Sequence, residues 1–510
     1  MRRDVTGEVA KMKRREFIKV TAKGSVLGLA SPLVLDLVGR PGAFAAETRA
    51  SSESLREMMN RVVARALANG GQYADVFLEE KLETGIALVD GTVDSVEYGV
   101  YRGGGVRVIS DWKTGYAYCD SWDEADLEEA AGVASRVASS GGKVEVKSRD
   151  PRNIATVTGY QVAPDEIPAG KKVEAVTYAD KVARAYDPAI QQVKITYSDE
   201  MRRTFVANSE GAWGQQEIPL IWLSMDTLAR RGEKRHPGYV RRSAKRGFEY
   251  ASMDFIEATA KEAARQAVDM LDSVDAPGGE MPVVIGSGGG VVFHEAVGHG
   301  LEADGVEKGT SFFTGLVGTR VGSDLVTVVD DGSIPNYRGS YTYDDEGTPS
   351  KENVLIEKGI LRGYMDDVIT ARKLGLELTG NARRQSYKHF PLVRMSNTFI
   401  RPGPHSHDEI IAATDRGLYT RHLGGGEVDT TTGNFTFGVR EAYLIENGKI
   451  TSPVRGATLM GNGPEVLKRI DMVGGDQAFW PGTCGKGQWV PVTSGAPTLR
   501  IAGITVGGRA

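Results

Sequence analysis

Two of the seven histidines in this 510-residue chain stand in the string His294-Glu295-Ala296-Val297-Gly298-His299. A pair of imidazoles with a carboxylate beside the first is how zinc hydrolases hold a metal and activate its water. The histidines ligate, and the glutamate reaches the water without ligating. The spacing is one residue longer than the common H-E-x-x-H. At ~100° per residue, five steps put His299 ~140° round a helix from His294, so a regular helix separates the pair. A π-bulge, or a distortion at Gly298 and Gly300, reunites them. The competing reading is two unrelated helix histidines.

A catalytic metal site needs a third ligand and an open fourth position. Cys484, in Pro481-Gly-Thr-Cys-Gly-Lys-Gly-Gln488, is the simplest candidate. A thiol beside Lys486 in a glycine-rich loop is placed for deprotonation; the plain alternative is a buried structural cysteine. Glu302 and Asp304 are candidates to orient the ligating imidazoles from behind, or else ordinary helix-end carboxylates. His236, His389, His405, His407 and His422 lie in polar contexts and read as surface residues.

The elements that must carry these groups follow from periodicity. Pro282 to Ile285 reads as a strand, followed by a glycine-rich bend and the histidine helix. A nucleotide-binding reading fails, because Val291 stands where the third glycine belongs and no Gly-Lys-Ser/Thr is present. Upstream, Leu55, Met58, Met59, Val62, Val63, Ala66 and Leu67 form a helix stripe that Gly70-Gly71 ends. Residues 73–118 alternate as an antiparallel meander, and a second helix is expected over 123–138. After a polar loop over 148–170 come a helix near 171–186, a meander over 190–230 and an Ala-rich helix over 252–272. The basic run 232–247 reads as a solvated loop. The look-alike strings 354–363 and 443–452 read as hairpins of one sheet.

Composition narrows the class. With 62 basic against 67 acidic residues there is no global positive field to favour nucleic acid, and two cysteines build no disulfide framework. Glycine, at 64 residues, is well above the typical ~7% and implies many tight turns. Residues 1–45 read as an export signal: Lys13-Arg14-Arg15-Glu16-Phe17, a short apolar run and Ala43-Phe44-Ala45. The paired arginines resemble a twin-arginine route, and the apolar run is too short for a stable membrane anchor. An extracytoplasmic location is therefore expected, or a cytoplasmic one if the signal is unused. Removing the leader takes the formal charge from −5 to −10.

The expected architecture is α+β. An N-terminal α/β meander domain (46–275) precedes a large antiparallel β-rich C-terminal domain (276–510) that carries the metal-site helix. Across 280–508, the histidine string joins V-V-D-D-G-S-I (328–334), D-D-E-G-T-P (344–349), G-G-G-E-V-D (424–429), R-G-A-T-L-M-G-N-G-P-E-V-L (455–467) and C-G-K-G-Q (484–488). Together these strings resemble the TldD/PmbA metallopeptidase family. The resemblance implies His294, His299 and Cys484 as ligands of one Zn²⁺ per catalytic chain, and Glu295 as general base on a zinc-bound water. It implies a TldD-like catalytic subunit that cleaves unfolded or extended peptides, bound partly by strand addition. It also implies pairing with a PmbA/TldE-like sister subunit or a second copy. Two rival functions remain: a non-hydrolytic peptide-binding subunit with a structural metal, and a metal-dependent hydrolase of a non-peptide amide. The substrate-binding residues are not legible.

Overall fold

The computed structural model describes residues 10–11, 52–138, 152–154 and 159–508. The expected export signal therefore falls outside the described residues, apart from the two-residue strand Ala10–Lys11.

The N-terminal half is built on one eight-stranded sheet whose long members are Tyr73–Val89, Thr92–Ser110, Ile190–Asn208 and Ala212–Arg231. Its alternation explains its layers. The even-numbered Ala74, Val76, Leu78, Ile86 and Leu88 of the first strand are buried beneath helices. Helices Ser52–Leu67 and Glu124–Ala138 cover one end of that face; Ala169–Tyr186 and Met253–Asp269 cover the other. All seven stripe residues of the first helix are buried, as the period requires.

The odd-numbered Asp75, Phe77 and Glu79 face the C-terminal half instead. Asp75 pairs with Arg107 at 2.6 Å and with Arg384 at 3.0 Å, and Arg107 reaches Glu346 at 2.6 Å. All four side chains are fully buried, so both faces of Tyr73–Glu79 are covered. Breaking one partner of such a set strands a charge in the interior.

The C-terminal half holds a second eight-stranded sheet and a six-stranded one. Most pairings are antiparallel, but Gly279–Ile285 runs parallel to Arg416–Val428, and Asn397–Ile400 parallel to Trp489–Ala496. A single apolar cluster joins both sheets to the segment bearing His294, through Val292, Phe293, Ala296, Val297 and Leu301. The chain enters this half at Val274–Asp275, which pairs with Val454–Arg455.

Two local expectations change. The basic run is a strand, Lys234–Ala244, at the edge of the first sheet, where Pro237 costs only one face of hydrogen bonding. The two look-alike hairpins belong to different sheets, one six-stranded and one eight-stranded.

Candidate metal centre

The strand Gly279–Ile285 leads through the glycine bend into a helix of only six residues, Val291–Ala296. A Cβ on Gly290 would lie 2.5 Å from the Gly495 backbone, so glycine there lets the helix start touch the neighbouring strand. The helix breaks at Val297 (φ −127°, ψ −48°), and a tighter 3₁₀ turn, Gly298–Leu301, carries His299. This break does what a π-bulge was expected to do. Gly298 serves it by close packing, since a Cβ there would meet Met395 Sδ at 2.2 Å.

The break brings His294 and His299 together with rings 5.7 Å apart, and Cys484 completes the group. One ligand atom from each lies within 4.8 Å of the others. Cys484 Sγ is 3.3 Å from His299 Nε2. Ligands on a tetrahedral zinc stand roughly 3.4–3.8 Å apart, so the three donors suit one ion. The sharpest sign is His294, which is 3% exposed with no hydrogen-bond partner at either ring nitrogen. Such an orphaned pair costs free energy unless a ligand engages it. The donors present therefore fit a divalent metal.

Cys484 sits near the end of the strand Ala478–Gly485, opposite Val490 in a hairpin, and not in an irregular loop. Burial pushes its thiol up, but His294 and His299 outweigh burial and hold it at about 5. Lys486 is not the cause, contrary to expectation. Its Nζ donates to Glu302 Oε2 (3.0 Å), Asp304 Oδ1 (2.8 Å) and the Val393 carbonyl (2.9 Å). Ligation needs neutral imidazoles, so metal uptake here releases protons.

Glu302 does reach a histidine: its Oε2 lies 2.9 Å from His299 Nδ1 and accepts that proton, leaving Nε2 turned to the thiol. Burial raises the Glu302 carboxyl, yet Lys486 and His299 bring it down to about 2. Asp304 does not reach a histidine; its bond is to Lys486. Arg394, absent from the residues expected at the site, is a fully buried side chain that donates to the carbonyls of Cys484 (2.7 Å) and Gln488 (2.8 Å). No spacing signal marks it, because 90 residues separate it from Cys484.

Glu295 lies 3.5 Å from His299 Nε2 and is the most open of the four, with 26% of its side chain exposed. Burial raises its carboxyl, but both histidines keep it below the ordinary range, hence ionised. It lines a cleft of about 190 Å³, together with His294, Tyr239, Arg241, Arg421 to Gly426 and Trp480. The cleft walls thus include the basic strand and His422, neither of which is a plain surface feature.

Residues 74–138, 163–271 and 278–508 match, in order, the PmbA/TldA metallopeptidase domain 1, central domain and C-terminal domain. A Metalloprotease TldD homolog of Haemophilus influenzae is 42% identical over 447 residues, spanning 86% of this chain and 93% of that protein. A metalloprotease of Methanothermobacter thermautotrophicus is 35% identical over 440 residues, spanning 86% of this chain and 96% of its own. Among solved structures, TldE of Thermococcus kodakarensis superposes with a TM-score of 0.73 at 21% identity, covering 90% of this chain and all of that one. That last likeness shows the fold. With the ordered domain matches and these relatives, the chain belongs to the PmbA/TldA metallopeptidase family.

Proposed function

We propose that the chain is a zinc-dependent peptidase of unfolded or extended peptides, with Glu295 as general base. The observation that carries this reading is the bare, buried His294 facing Cys484 and His299 while Glu295 looks into the cleft. A thiolate with two imidazoles favours zinc over the harder divalent cations. When bound, the cation supplies Lewis acidity that polarises a peptide carbonyl and makes a water easier to deprotonate. The rest falls to the protein. Glu302 fixes the ring of His299, and Arg394 braces the backbone of Cys484. Glu295 takes the proton of the attacking water and returns it to the leaving amine.

A cleft of this size admits an extended chain and excludes a folded domain. Its wall Arg421–Gly426 runs beyond Thr420, the last residue paired with the parallel neighbour, and offers backbone for strand addition. The partner is a TldE-like sister chain or a second copy, a reading supported by the shared fold with TldE. Export by the twin-arginine route is proposed from Arg14-Arg15 and Ala43-Phe44-Ala45.

The test is cleavage of an unstructured peptide by the purified full chain, alone and with a co-purified sister chain. Cutting that disappears when zinc is removed and returns with zinc supports the proposal. Cutting that persists in zinc-free protein contradicts it. Cleavage of a non-peptide amide alone would replace the substrate class.

A further inference from the structure

Charge in the cleft is lopsided. Arg241, Arg421 and Arg440 line the cavity that holds His294 and Glu295, and Glu295 is its one carboxylate among the described residues. An adjoining cavity of about 730 Å³ shares Ser287, His422 and Trp480 with it, and adds Arg242 and Arg246 with no carboxylate. Arginines at such places ordinarily find acidic partners, and elsewhere in this protein they do: Arg107, Arg202, Arg265 and Arg384 all bind carboxylates.

Arg241 and Arg440 do not. Both guanidiniums pack on the ring of Tyr239, at 5.5 and 4.2 Å from its centroid. Arg241 also lies 4.7 Å over Trp222, and its Nε donates to Tyr239 Oη at 2.8 Å. Neither forms an ion pair among the described residues; the nearby carboxylate is Asp226, the residue paired with Tyr239, whose charged form both guanidiniums favour without bonding it. Arg421 has only a long contact to Glu441, at 3.7 Å. Two like charges held on one aromatic ring repel, and the arrangement is relieved when an anion lies between them. The flat, donor-rich guanidinium is the side chain best shaped to take a carboxylate through two parallel hydrogen bonds.

Resting on the peptidase reading above, we propose that Arg241 and Arg440 form a carboxylate-binding subsite that selects peptides carrying an anionic group close to the bond cut at Glu295. The carboxylate comes either from a peptide C-terminus or from an Asp or Glu side chain. Both present the same planar anion to the same donors. The subsite determines specificity and takes no part in proton transfer. The basic strand Lys234–Ala244 supplies Arg241 and Tyr239, and the strand Asn434–Glu446 supplies Arg440, so the two halves of the chain build the subsite jointly.

The test uses the full chain carrying Glu295→Gln, loaded with zinc, and measures binding of fluorescent peptides by anisotropy. One matched pair differs only in a free C-terminal acid against an amide. A second pair, both amidated, differs only in Asp against Asn. A charge-assisted pair is worth roughly a tenfold or greater affinity difference. The expected result is at least about tenfold tighter binding of the carboxylate member of one pair, and which pair responds identifies the source. Adding Arg440→Gln or Arg241→Gln brings that ratio close to one, whereas Arg421→Gln leaves most of it. Equal affinities within both pairs overturn the subsite, whether or not the wild type cleaves peptides. Selective binding without any wild-type cleavage leaves the subsite standing and sinks the peptidase reading instead. If Arg440→Gln weakens acid and neutral members equally, the residue acts on the fold and the inference fails.

Discussion

Among the described residues, two groups of ligand-type side chains lie close enough to hold an ion: His294, His299 and Cys484, and Glu262, His422 and Glu441. By residue type and spacing alone, the second is as credible as the first. The difference is in what each group already touches. Glu262 and Glu441 both accept from Arg265, with contacts of 2.9 to 3.1 Å, and His422 lies 3.4 Å from Glu262. Tyr443 and Gln266 take further lone pairs. That cluster is a neutralised bridge between the helix Met253–Asp269 and the C-terminal sheet. In the first group, neither ring nitrogen of the buried His294 has a hydrogen-bond partner, although it lies beside Cys484 and His299. A site for an ion is marked by donors left without a partner, more than by ligand-type residues standing close together.

The largest effect expected from this contrast is on metal content. His294→Ala removes one of the three proposed ligands and is expected to take zinc from about one per chain to nearly none, read by elemental analysis of purified protein. His422→Asn leaves zinc content at the wild-type level. Equal losses in both variants would erase the distinction. A smaller effect is expected one shell out: Glu302→Gln keeps the shape but weakens the hold on His299. Zinc affinity should fall about 10- to 100-fold by competition with a chelator. An unchanged affinity would mean that the 2.9 Å contact does not position the ring.

The bridge should fail differently, through stability. Arg265→Ala leaves Glu441 buried beside Glu262 and should cost about 2 kcal/mol in denaturant unfolding, with zinc content intact. That is below the full range for interior pairs because Arg265 keeps some contact with water. The same cluster predicts a modest pH effect. Burial raises the Glu262 carboxyl, but Arg265 and His422 hold it well below its ordinary 4.5. A depressed carboxyl contributes fully above its unfolded value and loses that contribution as pH falls toward its folded one. The wild type should therefore lose stability steadily below pH 4.5, and Arg265→Ala should lose less over the same window. Parallel acid curves would assign the acid sensitivity elsewhere.

Much of the fold was legible because it obeys local periods. The stripe from Leu55 to Leu67 is buried residue for residue, and the Lys358-Gly359 and Asn447-Gly448 turns adopt the positive φ that tight hairpins need. The strand Lys234–Ala244 was not legible, since its cations and Pro237 look like loop chemistry until a helix and a cleft are placed on its two sides. At the site, His294, Glu295 and His299 could be read from one short string. Cys484 was a candidate from its glycine-rich surroundings, with a buried structural cysteine as the alternative, and the resemblance favoured the ligand; the structure brings it to the group because the break at Val297 turns His299 toward it. Arg394, the bridge at Glu441 and the arginines around Tyr239 depend on contacts between distant segments, which no local pattern encodes.

If one metal group and one carboxylate divide the work, Glu295→Gln separates them. Zinc content and cleavage of an unstructured peptide are to be measured on the same preparations of wild type and variant. Equal zinc in both is expected, with a loss of about 10²–10⁴-fold in cleavage rate for the variant. Cleavage by Glu295→Gln at the wild-type rate, with zinc in place, would contradict that division.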